Sequence, residues 1–340
     1  MSVLSGLYGR AARFRRAWYG RRPDRARRLR HPVVSVGNLV VGGSGKTPIV
    51  SALTSLLVAS GERPAILSRG YGRRRSDSTV VVVSDGRSLL TTPELSGDEP
   101  HMLARAHPDV PVLVSNERYL AGEKAEDLGC SVNLLDDGFQ HLQLARDINL
   151  LVVTRADLDE RVLPSGRLRE PLEAAAAADA LLIEGTDEDA AAIRARLGVE
   201  TTFRVVRHFD PPRYVQPFGD PVPSSSGRRV VAVAGIARPE RFFTALRLEG
   251  WDVVAKLTYR DHHWFDASDL DSIQRSAIEA KADLVMTTEK DAVRLMLQAG
   301  VKPKWAYLPL HVTIEPADQL ASWMRDRLAA ARRRRGVAAA

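Results

Sequence analysis

The stretch Gly37-Asn38-Leu39-Val40-Val41-Gly42-Gly43-Ser44-Gly45-Lys46-Thr47-Pro48 holds residue types that bind nucleotide phosphates. It follows an apolar run and opens a helix-like one, the setting that a phosphate loop requires. The backbone N–H groups of Gly42, Gly43, Ser44 and Gly45 can turn inward on the phosphates, aided by the positive end of the helix. Lys46 would reach the β- and γ-phosphates and the Thr47 hydroxyl would ligate Mg²⁺. One position departs from the strict pattern, since the first glycine is replaced by Val40. The apolar run Val132–Leu135 ends in Asp136 and Asp137, where a strand-end carboxylate holds Mg²⁺ in nucleotide enzymes. Adjacent carboxylates can also serve as helix caps or turn formers, but the phosphate loop favours the metal role.

Two further clusters fall where loops are expected. Ser96-Gly97-Asp98-Glu99-Pro100 puts two carboxylates in a turn before a helical stretch, and Tyr259-Arg260-Asp261-His262-His263-Trp264-Phe265 pairs two histidines with an aspartate. No cysteine or glutamate accompanies the histidines at zinc-ligand spacing. A carboxylate paired with histidine could instead take a proton from an attacking hydroxyl. Spacing alone does not pair these two segments.

The elements that must hold these groups read as parallel strands alternating with helices. Val33–Val36, Ala65–Ser68, Val110–Ser115, Val132–Leu135, Ile148–Thr154 and Ala180–Glu184 are near-continuous apolar runs, as expected of strands covered on both faces. Pro48–Ala59 and Tyr119–Leu128 have helix length, and Val80–Ser84 reads as an extra hairpin strand. The fold class is α/β: a P-loop-type doubly wound, mostly parallel sheet with a second, smaller α/β lobe. The core spans 31–209. A proline- and serine-rich stretch, 210–227, reads as a linker. The second lobe spans 228–315, with strands at Val230–Ala234, Val253–Leu257 and Leu284–Thr287 and helices at Pro239–Leu246 and Ala267–Ala280. A carboxy-terminal helix and basic tail follow over 316–340.

With 340 residues, 44% of them hydrophobic and 27% charged, the chain can bury a full core and is not disordered. No uninterrupted apolar run is long enough for a transmembrane helix, and the start lacks the features of a secretory signal. A single cysteine, Cys130, excludes an intramolecular disulfide or a cysteine-rich metal site. The net charge of +7 is unevenly placed. Residues 1–30 carry ten arginines and one acid, and Arg332–Arg335 add four more positive charges, which leaves a net −6 between them. Such an acidic body disfavours a nucleic-acid partner. On a helix, Val3, Leu4, Leu7, Tyr8, Ala11, Phe14 and Trp18 share one face, with Arg10, Arg13, Arg15 and Arg16 on the flanks and opposite side. Residues 1–30 therefore read as an amphipathic basic helix and connector, with residues 1–20 suited either to an anionic membrane surface or to docking on the protein's own core. The Arg332–Arg335 run reads as a solvated tail.

Taken in order, the P-loop, Ser68-Arg69-Gly70-Tyr71-Gly72, Gly97-Asp98-Glu99-Pro100, Leu135-Asp136-Asp137-Gly138-Phe139-Gln140-His141, Gly166-Arg167-Leu168-Arg169-Glu170-Pro171, Asp261-His262 and Thr288-Glu289-Lys290-Asp291 resemble the tetraacyldisaccharide 4′-kinase family of lipid A biosynthesis. The resemblance runs from the amphipathic start to about residue 315, and Val40 is consistent with it. It implies transfer of the ATP γ-phosphate to the 4′-hydroxyl of a tetraacylated glucosamine disaccharide 1-phosphate, by a peripheral enzyme at the cytoplasmic face of the bacterial inner membrane. It further implies Asp98 as catalytic base with His262 as its partner, and Lys46 and Arg169 as charge stabilisers. Thr47, Asp136, Asp137 and Glu170 would lie around Mg²⁺, and Tyr71 and Arg118 would contact nucleotide or substrate. The alternative is a P-loop ATPase or GTPase, acting as a switch or metallochaperone with no lipid acceptor. Thr288-Glu289-Lys290-Asp291 superficially resembles a guanine-binding loop but lacks the residue between lysine and aspartate.

Overall fold

Runs of valine, isoleucine and leucine form the strands, and their distribution divides the chain between two sheets. The computed structural model describes residues 3–42, 45–73, 79–223, 227–296 and 304–336. In chain order come β1 (Val33–Asn38), β2 (Pro64–Ser68), β3 (Val81–Asp85), β4 (Pro111–Val114), β5 (Val132–Asp136), β6 (Ile148–Thr154), β7 (Ala180–Glu184) and β8 (Thr202–Phe209). Next are β9 (Arg213–Tyr214), β10 (Arg229–Ala234), β11 (Asp252–Thr258), β12 (Leu284–Thr288) and β13 (Trp305–Leu308), followed by β14 (Leu310–Glu315).

The large sheet has the order β14-β8-β7-β6-β1-β5-β2-β4-β3. It is parallel except at its two edges, where β3 runs against β4 and β14 against β8. β1 pairs with β5 on one side and with β6 on the other. The chain builds β2 to β5 on the first side and then crosses to β6 on the second, and a ligand crevice opens at such a reversal. The helix Lys46–Ala59 covers one face with Ile49, Val50, Leu53 and Leu57, all fully buried. Each such side chain contributes about 1.5–3 kcal/mol through burial.

The smaller sheet has the order β11-β10-β12-β13-β9. β9 belongs to the stretch read as a linker, and its pairing with β13, together with burial of Val215 and Val222, packs much of 210–223 onto the smaller lobe. β14 was expected in the smaller lobe but joins the large sheet through six residue pairs with β8. The helix Ala317–Arg335 follows it there, burying Leu320, Met324 and Leu328 in the large lobe's core. The basic run is therefore not a free tail. Arg332 pairs with Glu62 at 2.6 Å and Arg335 with Asp147 at 2.5 Å, all four side chains largely buried.

The amino-terminal helix, Val3–Arg21, docks through Ser5 and Gly9. The Ser5 hydroxyl donates to Ser165 Oγ at 2.8 Å, and Gly9 lies close to Pro171 and Val162. Its apolar residues point away from the body: Val3, Leu4, Leu7, Tyr8 and Phe14 are exposed, Phe14 by 71%. Among the described residues, no helix is long and apolar enough to cross a membrane.

Candidate active site

The phosphate loop starts where β1 ends, at Asn38. Val40, which occupies the expected glycine position, is buried and bridges Leu168. Its side chain packs in an apolar cluster with Leu39, Phe139 and Leu151, a role glycine could not fill. Gly45 adopts φ +64°, a left-handed conformation open to glycine, and hands the chain to the helix at Lys46. Lys46 Nζ donates to Asn38 Oδ1 at 3.0 Å and pairs with Asp137 Oδ1 at 3.2 Å. Thr47 sits buried in the first helical turn. Gly43 and Ser44 lie outside the described residues.

β5 runs parallel beside β1 and delivers Asp136 and Asp137 to the same end of the sheet. A side chain at Gly37 would overlap Phe139, so glycine there lets the Asp-Asp-Gly-Phe turn approach β1. Asp137 holds φ 54°, uncommon for a non-glycine residue, and such backbone persists where surroundings enforce it. Arg169 Nη1 donates to Asp137 Oδ2 at 2.8 Å, and Gln140 ties the turn to Asn38 O at 3.0 Å. Burial pushes the Asp137 carboxyl up, but Lys46 and Arg169 outweigh it and hold it below the usual value. Asp136 instead accepts from Ser68 Oγ at 3.1 Å. Burial, with Glu99 and Asp137 nearby, pushes its carboxyl up to about 7.

The segments that spacing left unpaired meet across the lobes. Asp98 opens the helix Asp98–Ala106. His262, in the loop after β11 with φ 59°, lies with Nδ1 at 3.0 Å from Asp98 Oδ2 and 3.2 Å from Oδ1. From the helix Glu289–Leu295, Arg294 pairs with Asp98 at 2.9 Å and Lys290 pairs with Glu99 at 3.1 Å. Burial alone would raise the Asp98 carboxyl. The His262 hydrogen bond and the Lys290 and Arg294 charges outweigh it, so Asp98 stands ionised, below its ordinary value. His263 turns elsewhere, stacking on Tyr259 and reaching Asp269 at 2.7 Å.

A P-loop, a strand-end acid pair and an Asp–His contact on two lobes match a known pattern. The sequence pattern of the family described as tetraacyldisaccharide-1-P 4′-kinase matches residues 1–329. The chain is 38% identical over 339 residues to the tetraacyldisaccharide 4′-kinase of Syntrophus aciditrophicus, covering 93% of this chain and 89% of that one. It is 39% identical over 320 residues to the same-named protein of Geobacter sulfurreducens, covering 92% and 87%. Its structure is similar to "apo" form LpxK from Aquifex aeolicus in complex with ATP, with a TM-score of 0.77, 32% identity and coverage of 96% and 97%. The chain belongs to the tetraacyldisaccharide-1-P 4′-kinase family.

The remaining residues of this kinase sort by position. Tyr71, 69% exposed, sets its ring edge against His262 with centroids 5.0 Å apart. Arg118 is buried beside Asp136 and Asp137, where burial pulls its guanidinium down to about 10 despite their attraction. Glu170 was expected near the metal, or else paired with Arg169. Its carboxylate engages Arg16 of the amino-terminal helix at 2.6 Å, and Arg169 engages Asp137 rather than Glu170. Glu99, Lys290, Arg294 and Gln140 join the site without having been singled out individually. Arg16 was read only as part of a charged flank, yet it also caps the Phe139 ring at 4.5 Å.

Proposed function

We propose that the kinase transfers the γ-phosphate of ATP to the 4′-hydroxyl of a tetraacylated glucosamine disaccharide 1-phosphate. The observation that carries this reading is Asp98, ionised and held by His262, with its neighbour Glu99 close enough to act on Asp136 of the strand-end pair that Lys46 of the P-loop engages. Phosphoryl transfer asks a protein mainly for alignment, charge stabilisation and a base at the acceptor oxygen. Asp98 would take the hydroxyl proton as the O–P bond forms, and Lys46 and Arg169 would steady charge on the moving phosphoryl group.

The donor set also fits Mg²⁺. The Asp136 carboxyl is raised first by burial and then by the negative charge of Glu99 and Asp137, which a divalent cation would relieve. Among the described residues, no three acids or histidines form a ready cage. That suits Mg²⁺, which binds through one or two carboxylates together with phosphate oxygens and water. Thr47 and Asp136 would hold it with Asp137 alongside, and when bound it would neutralise the β- and γ-phosphates.

The amino-terminal helix supports an acylated substrate met at a membrane surface, the cytoplasmic face of the inner membrane. Its exposed apolar face would enter the acyl boundary. A cavity of about 260 Å³ between the helix and Val162, Leu168, Pro171 and Leu172 offers apolar room beside it. Burial, with Arg118, Arg146, Arg15 and Arg69, pulls His141 down to about 4, and those arginines make a positive field suited to a lipid phosphate.

The test is transfer of labelled γ-phosphate to the disaccharide lipid. Wild-type protein should phosphorylate it, and Asp98→Ala should lose at least about a hundredfold of that rate while still binding ATP. Near-normal lipid phosphorylation by Asp98→Ala would remove Asp98 from the base role. Full-rate ATP turnover without lipid would favour the ATPase alternative.

A further inference from the structure

The contact that sets the chemistry of His262 comes from its other side. Lys290 Nζ lies 3.0 Å from His262 Nε2. An ammonium has three donors and no acceptor, so Nε2 must offer its lone pair. The one ring proton then sits on Nδ1, directed at Asp98. Lys290 is itself secured by Glu99 Oε1 at 3.1 Å and Asp261 Oδ1 at 3.2 Å. Burial works against its charge, but the carboxylates of Glu99, Asp98 and Asp261 outweigh burial and raise its pKa.

We propose that Lys290 is a positioning residue that fixes the proton of His262 on Nδ1, so that Asp98 receives a hydrogen bond from a neutral imidazole rather than an ion pair from an imidazolium. The proposal rests on the reading of Asp98 as base and assigns the state of its partner.

The groups facing His262 explain why such a device is needed. Asp98 lies on one side and Asp261 Oδ1 lies 3.8 Å from Nε2 on the other. Without Lys290, Asp261 would be the acceptor left facing Nε2, and no cation would oppose a proton placed there. An imidazolium would hold Asp98 more firmly as the anion and weaken it as a base. With Lys290 in place, Nε2 is engaged and His262 cannot pass a proton onward. In the transfer step the substrate O–H bond breaks, its proton bonds to an Asp98 carboxylate oxygen, and its electron pair forms the new O–P bond. The bond from the γ-phosphorus to the β-bridging oxygen breaks, leaving ADP. Arg294, paired with Asp98 and wholly buried, holds the carboxylate in position meanwhile.

The test is ¹⁵N NMR of the full chain labelled at histidine, with the His262 signals identified by their loss in His262→Asn. At neutral pH, wild-type His262 should show a protonated Nδ1 and an unprotonated Nε2. In Lys290→Met the Nε2 signal should move to the protonated region. The turnover number should then fall about tenfold, with KM for ATP within about twofold. Lys290→Arg, which keeps a cationic donor, should restore both. A protonated Nε2 in the wild type overturns the proposal without need of any variant. So does a Lys290→Met protein with unchanged signals, or with unchanged turnover. If Asp98→Asn retained normal lipid phosphorylation while wild-type His262 showed the expected signals, the base reading would fail and the proton assignment would stand.

Discussion

Replacing Asp136 by asparagine should make the metal-free, nucleotide-free protein more stable while disabling it. The side chain is 4% exposed and its carboxyl is pushed from 3.8 up to about 7 by burial, Glu99 and Asp137. An acid raised in this way binds its proton more tightly folded than unfolded. Its stabilising contribution is therefore full below pH 3.8 and is lost as pH rises toward 7. At about 1.4 kcal/mol per pH unit, the raised pKa costs about 4 kcal/mol at about pH 7.5 and about 2 kcal/mol at about pH 5, where the folded group is neutral and the unfolded one ionised. Asparagine has nearly the same shape, can still accept from Ser68 Oγ, and carries no charge. Urea unfolding of Asp136→Asn and wild type should thus differ by up to about 4 kcal/mol at about pH 7.5 and by roughly half that at about pH 5. Titrating groups that do not interact with Asp136 cancel in the difference. Lipid phosphorylation should fall at least about a hundredfold in the same variant. A variant no more stable than wild type at about pH 7.5, or a margin equal at both pH values, would refute the reasoning.

Two further outcomes follow from the corrected termini. Arg335→Ala leaves Asp147 buried without its cation and should cost about 3 kcal/mol in urea unfolding; a change below about 0.5 kcal/mol would return the arginine run to a solvated role. Leu7→Glu with Phe14→Glu, both exposed and on the face away from the body, should reduce co-sedimentation with anionic phospholipid vesicles at least about tenfold, with ATP binding unchanged. Equal sedimentation would detach that face from membrane binding.

The central strands were legible because parallel strands covered on both faces leave long apolar runs, and β1, β5 and β6 show them plainly. β8 and β14 were less legible for the opposite reason. β14 alternates in burial, and β8, Thr202–Phe209, carries arginines and a histidine among its apolar residues. Their pairing spans about a hundred residues, and no local periodicity reports it. The same limit applied to charge. Arg332–Arg335 reads as a solvated run until Glu62 and Asp147 are seen opposite two of its members. Glu170 sat beside Arg169 in sequence, yet adjacent side chains need not face one another, and its partner came from the amino-terminal helix. The P-loop and the Asp136-Asp137 pair carried their own signals because glycines, lysine and strand-end acids are local requirements. Lys290 and Arg294 carried a weaker one, two cations four residues apart on a single helix face, with nothing in the sequence to name what they faced.

The division of the site between lobes has an energetic consequence for the proposed base. Asp98 is 2% exposed and lies on the nucleotide-binding lobe, while His262, Arg294 and Lys290 all come from the other. A buried carboxylate stripped of its partners pays the full desolvation penalty, several kcal/mol, unless it becomes protonated or water enters. With the lobes apart, Asp98 would therefore be either hydrated or neutral, and in neither state is it a shielded base beside the γ-phosphate. Bringing the lobes together supplies Arg294, Lys290 and His262 at once, and would exclude the water that could otherwise accept the phosphoryl group. On the proposed reading, Asp98 is charged as a base only in the arrangement that would also keep water from ATP. One set of contacts, Asp98 with His262 and Arg294, and Glu99 with Lys290, serves both ends.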